Sequence, residues 1–223
     1  MLLAEALLLL LTDDTSGRLT VSGSEMDVAL AGALLVDLSL AGRVDVDEKK
    51  RLVVLDGSPT GDETLDRALE VVRRREGKKP SAAIGELGKK TRETLYDRLT
   101  TAGILRAEEG RVLGIFPTRK WPTTSADHEA AVRRSLTSAL VQGTTPDPRD
   151  GALIALLHAL RSTHKVVDAE EHGLRRKDID LRAKEISEGN WGSEAVRQAV
   201  DAMTAAVVVA VTAGSVAATA GSG

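Results

Sequence analysis

The sequence contains no cysteine, and its aromatic residues are limited to Tyr96, Phe116, Trp121 and Trp191. Without cysteine there can be no disulfide, no thiol nucleophile and no thiolate metal site, a pattern that fits a reducing cytoplasm. With aromatics at only 2% of the chain, the core must be packed from Leu, Ala and Val. That composition favours helices over a β-sandwich. An excess of either charge is also missing, since 30 Lys and Arg face 33 Asp and Glu for a net charge of −3. No global basic field therefore draws the chain to nucleic acid or to an anionic membrane, and any anion site must be local.

Neither end reads as a membrane segment. The Leu-rich opening lacks a basic flank, is interrupted by Glu5 and ends in Asp13-Asp14, so it reads as a buried first helix rather than a signal peptide. The run over 205–220 is rich in Ala, Val, Thr and Gly, too short and too weakly apolar to span a bilayer. It reads as a buried final helix with a frayed tail.

Catalytic signatures are absent as well. His128, His158, His164 and His172 show no HxxxH or HExxH spacing, so no metal or other cofactor is expected. No GxSxG elbow, phosphate-binding Gly loop or kinase signature occurs. The acidic pairs Asp13-Asp14, Glu108-Glu109 and Glu170-Glu171 fall in turns or exposed stretches and read as surface charge. A non-enzymatic role follows as the expectation.

What is present is a largely helical pattern in a chain whose 42% hydrophobic content can furnish a continuous core. After the first helix and a turn over 12–17, residues 18–21 alternate as a short strand. A helix starting near Ser24 carries Leu30, Leu34, Leu35, Leu38 and Leu40 on several faces, which predicts a central position. A hairpin follows over 43–55, then a helix over 62–75 with Leu65, Leu69 and Val72 on one face. Two helical stretches lie between Ser81 and Thr101, and residues 102–116 read as strand, turn, strand. Helices are then expected near 126–140, 149–160 and 174–187, with the last one beginning near Ser193. The fold class is mainly α: a helical bundle core with peripheral amphipathic helices and short β-hairpins, taken as one domain over 1–223.

Two basic clusters stand out. Arg119-Lys120-Trp121 follows the second hairpin, and Arg133-Arg134 lies near the middle of the next helix. Cations beside an aromatic ring can grip a phosphate headgroup at an interface. The plainer reading is that Trp121 covers a core edge while the arginines pair with Glu129 or Asp127 on their own helix.

Several segments together resemble the Golgi phosphoprotein 3 family. They are Leu3-Ala4-Glu5-Ala6-Leu7-Leu8-Leu9-Leu10, Leu30-Ala31-Gly32-Ala33-Leu34-Leu35-Val36-Asp37-Leu38 with its continuation to Arg43, Ser58-Pro59-Thr60-Gly61-Asp62 with its continuation to Leu69, the stretch from Leu99 to Leu105, and Pro148-Arg149-Asp150-Gly151-Ala152 with its continuation to Leu157. Their order and spacing reach across nearly the whole chain. The resemblance implies a helical bundle with hairpins that binds phosphatidylinositol 4-phosphate on a membrane face, and eukaryotic relatives act as Golgi adaptors. The compact, Ala- and Arg-rich style resembles a bacterial member, to which that adaptor role does not carry over. In the family, a Trp before the second helix, an Arg inside it and later basic residues form the lipid pocket. Ser22 and Ala31 stand at the first two positions, so both contacts are lost here, while Arg133 and Arg134 fall close to the later ones. The family's self-association hairpin maps to 142–148, where Gly143 and two prolines disfavour a long strand pair.

The expected function is that of a peripheral membrane module for an anionic phospholipid headgroup, held by Arg133, Arg134, Arg119, Lys120 and Trp121, on the inner face of a membrane. A protein-interaction scaffold that has lost the lipid pocket is the alternative. A winged-helix nucleic-acid binder ranks last, because its wing would carry Glu108-Glu109 on an acidic chain.

Overall fold

The computed structural model describes residues 1–112, 116–124, 127–189 and 194–220. In chain order these form α1 (Leu3–Leu10), α2 (Gly23–Leu40), β1 (Val44–Val46), β2 (Leu52–Val54), α3 (Glu63–Arg74), α4 (Ser81–Leu87), α5 (Thr91–Thr101), β3 (Glu108–Val112), β4 (Phe116–Lys120), α6 (Asp127–Val141), α7 (Pro148–Ala159), α8 (Thr163–Val166), a 3-10 turn (Glu170–His172), α9 (Arg176–Ser187) and α10 (Glu194–Ala220). The class is mainly α with two small antiparallel hairpins, β1–β2 and β3–β4.

α2 is the axis, as its many-sided apolar pattern predicts. Residues 29–39 are all buried, and the helix packs against α1, α3, α4, α5, α7 and α10. Its start is written locally: Glu25 donates its amide to Ser22 Oγ, and Ser22 donates its amide to the Glu25 carboxylate, a reciprocal capping box. Gly32 lets α10 approach closely, because a Cβ there would sit 2.4 Å from Val207 Cγ2.

α1 is buried over all eight residues, so it needs its polar termini satisfied from outside. Its N-cap, Leu2, has no side-chain acceptor to offer. Asp37 of α2 takes that role, accepting from Leu3 N at 2.8 Å and Ala4 N at 3.1 Å. The one charged residue of α1, Glu5, accepts from Arg98 Nε at 2.9 Å, and the same guanidinium donates to both oxygens of Asp62. Arg98 thereby ties α1, α5 and the start of α3 together.

Several expectations shift. Residues 18–21 do not form a strand: the turn closed by Asp13 and Gly17 leaves a single bridge between Thr12 and Leu19. The second hairpin begins later than its apolar pattern suggests. Ile104 and Leu105 are buried, Leu105 makes one bridge to Thr123, and the paired strands are instead Glu108–Val112 and Phe116–Lys120. The register of that ladder sets residues of opposite charge across from each other, Glu108 with Lys120 and Glu109 with Arg119. Residues 142–147 contain no strand, in line with the glycine and prolines there. α10 runs 27 residues; among its described side chains Val200, Met203, Ala206 and Val207 are buried and Val208 and Val209 exposed, so over these residues it is one-faced rather than buried all round. Ser193, Ala126 and Trp191, which bear on helix starts and aromatic content, lie outside the described residues. Among the described residues, no helix is long and apolar enough to cross a membrane.

Candidate anion-binding groove

α6 and the segment running from α8 through the 3-10 turn border a groove of about 760 Å³. From α6 it receives Arg133 and Arg134; from the facing segment come His164, Lys165, Asp168, Glu171 and His172. Three cations therefore face two carboxylates, with two histidine rings beside them.

Arg133 is held rather than free. Its Nε donates to Glu129 Oε1 at 2.6 Å, one helical turn earlier, and its Nη1 donates to the Val166 carbonyl at 2.7 Å. Two fixed points orient the planar guanidinium, and Nη2 has no protein acceptor among the described residues, a preorganised donor of the kind that phosphate oxygens accept. Glu129 is only 3% exposed. Burial pushes its carboxyl up to about 7; Arg133 pulls it down and Asp14 reinforces the rise. Arg134, in the next position, is exposed and has no ion pair among the described residues. Burial also lowers His164, whose Nδ1 is enclosed without a partner, so its ring is held toward the neutral form.

Lys165 connects the groove to the beginning of α2. Its Nζ donates to the Thr20 carbonyl, and its charge holds down the Glu25 carboxyl alongside the stronger hydrogen bonds from Ser22. On the same turn Arg92 of α5 lies 3.3 Å from Asp27 and covers Gly23, where a Cβ would come within 2.7 Å of its Nη1.

The five candidate residues thus divide. Arg133 and Arg134 share the groove. Arg119 and Lys120 belong to β4 itself rather than to a segment following the hairpin; the side chain of Arg119 lies outside the described residues, and Lys120 does not line the groove. Trp121 stacks on Tyr96 with centroids 3.9 Å apart and planes 4° from parallel, and its amide donates to the Gly17 carbonyl. Its ring packs against the core, as the plainer sequence reading has it. Ser22 is spent as the cap of α2, and Ala31 has no exposed surface. Lys165, His164 and His172 escape sequence reasoning as groove residues because they face Arg133 and Arg134 from thirty or more residues away, and Arg92 because it meets Gly23 and Asp27 from more than sixty. The histidines lack metal-ligand spacing in the sequence, and among the described residues no three His, Asp or Glu side chains converge as metal ligands would.

Comparison with known proteins finds a family and a curated relative that match the chain. The family described as Golgi phosphoprotein 3 (GPP34) matches residues 3–203. The chain is also similar to the vacuolar protein sorting-associated protein 74 of Eremothecium gossypii, 27% identical over 165 residues, covering 62% of this chain and 49% of that protein. The chain spans about half the length of the curated relative it matches.

Proposed function

This chain belongs to the Golgi phosphoprotein 3 family, and from that premise we propose that it is a non-enzymatic, peripheral membrane module that binds an anionic phospholipid headgroup of the phosphatidylinositol 4-phosphate type. The observation that carries the reading is the oriented guanidinium of Arg133 beside Lys165 and beside Arg134, which has no ion pair among the described residues, in one groove. A headgroup phosphate there would accept charge-assisted hydrogen bonds, each worth about 1.5–3 kcal/mol. The surface position of Lys165 and Arg134 suits approach to a charged bilayer, where each basic residue adds about 1 kcal/mol.

A second reading rests on one observation. With Ser22 committed to a cap and Ala31 enclosed, the aromatic wedge and helix arginine of the family pocket have no counterpart at those positions. A scaffold that keeps the fold and binds a protein partner instead would account for that.

Flotation of the purified protein with liposomes containing phosphatidylinositol 4-phosphate, against phosphatidylserine liposomes of equal charge, separates the two. Arg134→Glu with Lys165→Glu is the informative variant, because it leaves the buried Glu129–Arg133 pair intact. The lipid reading expects selective, salt-sensitive flotation that the variant reduces at least tenfold. Trp121→Phe should float normally, since that ring is used against Tyr96. Flotation of wild type without headgroup preference, or unchanged flotation of the double variant, would refute the reading, and no flotation at all would favour the scaffold.

A further inference from the structure

A second cleft, of about 470 Å³, opens between α3 and the α4–α5 junction, and its chemistry differs from that of the groove. Its floor is apolar: Leu34 of α2, Ala68 and Val71 of α3, and Leu87 of α4, each at most 9% exposed. Its rim is basic, with Arg67, Arg74, Lys89 and Lys90 against Glu70 and Glu86. The two carboxylates are already engaged. Glu86 accepts from Arg74 and Arg75, and Glu70 accepts from Arg73. Arg67, Lys89 and Lys90 are left without an ion pair among the described residues, in a chain whose net charge is negative.

Local structure holds the lysines at this mouth. Lys90 sits at φ +60°, a left-handed conformation that a residue with a side chain adopts at a cost, and it ends the short linker between α4 and α5. Thr91 follows, buried, with its hydroxyl donating to the Leu87 carbonyl, so the linker is fastened to the end of α4. A solvated helix end needs neither an enclosed aliphatic floor nor a strained lysine.

We propose that this cleft is a binding site for a small organic anion, a phosphate or carboxylate carried on a short apolar body. The apolar part would cover Leu34, Ala68, Val71 and Leu87, and the anionic group would meet Arg67, Lys89 and Lys90. The volume lies within the range of small-ligand pockets, about 300–1,000 Å³. An apolar floor contributes affinity that a bare anion cannot use, and the unpaired cations discriminate against a neutral ligand of the same shape. The cleft shares no lining residue with the Arg133 groove, so it stands or falls apart from the proposed lipid function.

Titration of the isotopically labelled protein with monomeric octyl phosphate, octanol and inorganic phosphate, followed through backbone amide shifts, tests the proposal. Octyl phosphate should move amides of residues 64–71 and 87–94 and bind at least tenfold tighter than either control. Arg67→Ala with Lys89→Ala and Lys90→Ala should weaken it at least tenfold. Thr94→Trp, which fills the cleft from its half-buried edge, should weaken it with every cation in place; the Arg134→Glu, Lys165→Glu variant should bind as wild type does. Broadening of the same amides by phosphatidic acid vesicles would support a bilayer source for the ligand, and a response to monomeric octyl phosphate alone would support a free one. Inorganic phosphate binding as tightly as octyl phosphate, shifts confined to other residues, or silence toward both octyl phosphate and vesicles would overturn the proposal.

Discussion

Glu129 offers the sharpest test of how the groove is built. It is a carboxyl of ordinary value 4.5 raised to about 7, chiefly by burial, so the folded protein holds a proton that the unfolded chain releases. The sign follows: between about pH 4.5 and 7 the native state binds more protons, so stability from this residue is present at the acid end and is lost as pH rises. A tenfold change in proton affinity corresponds to about 1.4 kcal/mol, and the two pKa values make the native state about 2.5 kcal/mol less stable at pH 8 than at pH 5 through Glu129 alone. Glu129→Gln keeps the shape and can still accept from Arg133 Nε, but cannot titrate. Urea midpoints for wild type and variant at pH 5, 6, 7 and 8, read by circular dichroism, give the comparison. The variant should lose roughly that amount of pH dependence, while Asp37, a carboxyl raised to about 6 by burial, leaves the same slope in both proteins. Identical pH profiles would refute the reasoning, because they would mean that Glu129 stays ionised beside Arg133 throughout.

Two further outcomes follow from the packing. Arg98→Ala leaves the buried Glu5 with the Leu2 amide as its remaining donor among the described residues and takes the charged partner from Asp62, which keeps its cap bonds from the Thr64 and Leu65 amides, so it should cost about 3 kcal/mol in chemical unfolding; Arg98→Met should recover little, since the stem is not the source of the loss. Gly32→Ala forces a methyl into Val207 of α10 and should cost about 1–3 kcal/mol by the same measurement, partly restored by Val207→Ala in the same chain, a coupling that a simple propensity effect would not produce.

The helices are legible because their signals are local. The 3.6-residue recurrence of Leu and Ala in α2, the capping box from Ser22 to Glu25, and the Asp62 and Asp147 caps all lie within a few residues of the elements they define. α8 and the 3-10 turn escape such a reading, because segments of four and three residues carry too little pattern to stand out. The second hairpin is displaced from its expected place because Ile104 and Leu105 look like strand residues yet are buried beside a single bridge, while the real strands carry charged pairs. Half of the candidate groove is visible as Arg133-Arg134; the other half, His164, Lys165 and His172, lies thirty and more residues away and has no spacing that announces it.

Sequence alone determined the helical class, the aliphatic core, the absence of disulfide and thiolate chemistry and the central place of α2, since composition and periodicity act through neighbours in the chain. Tertiary structure decided which charges were spent and which were left. Glu129 and Val166 fix Arg133, Tyr96 takes the face of Trp121, and Asp37 caps a helix more than thirty residues away. A side chain's role depends on what it meets after folding, and those meetings join residues that the sequence keeps far apart.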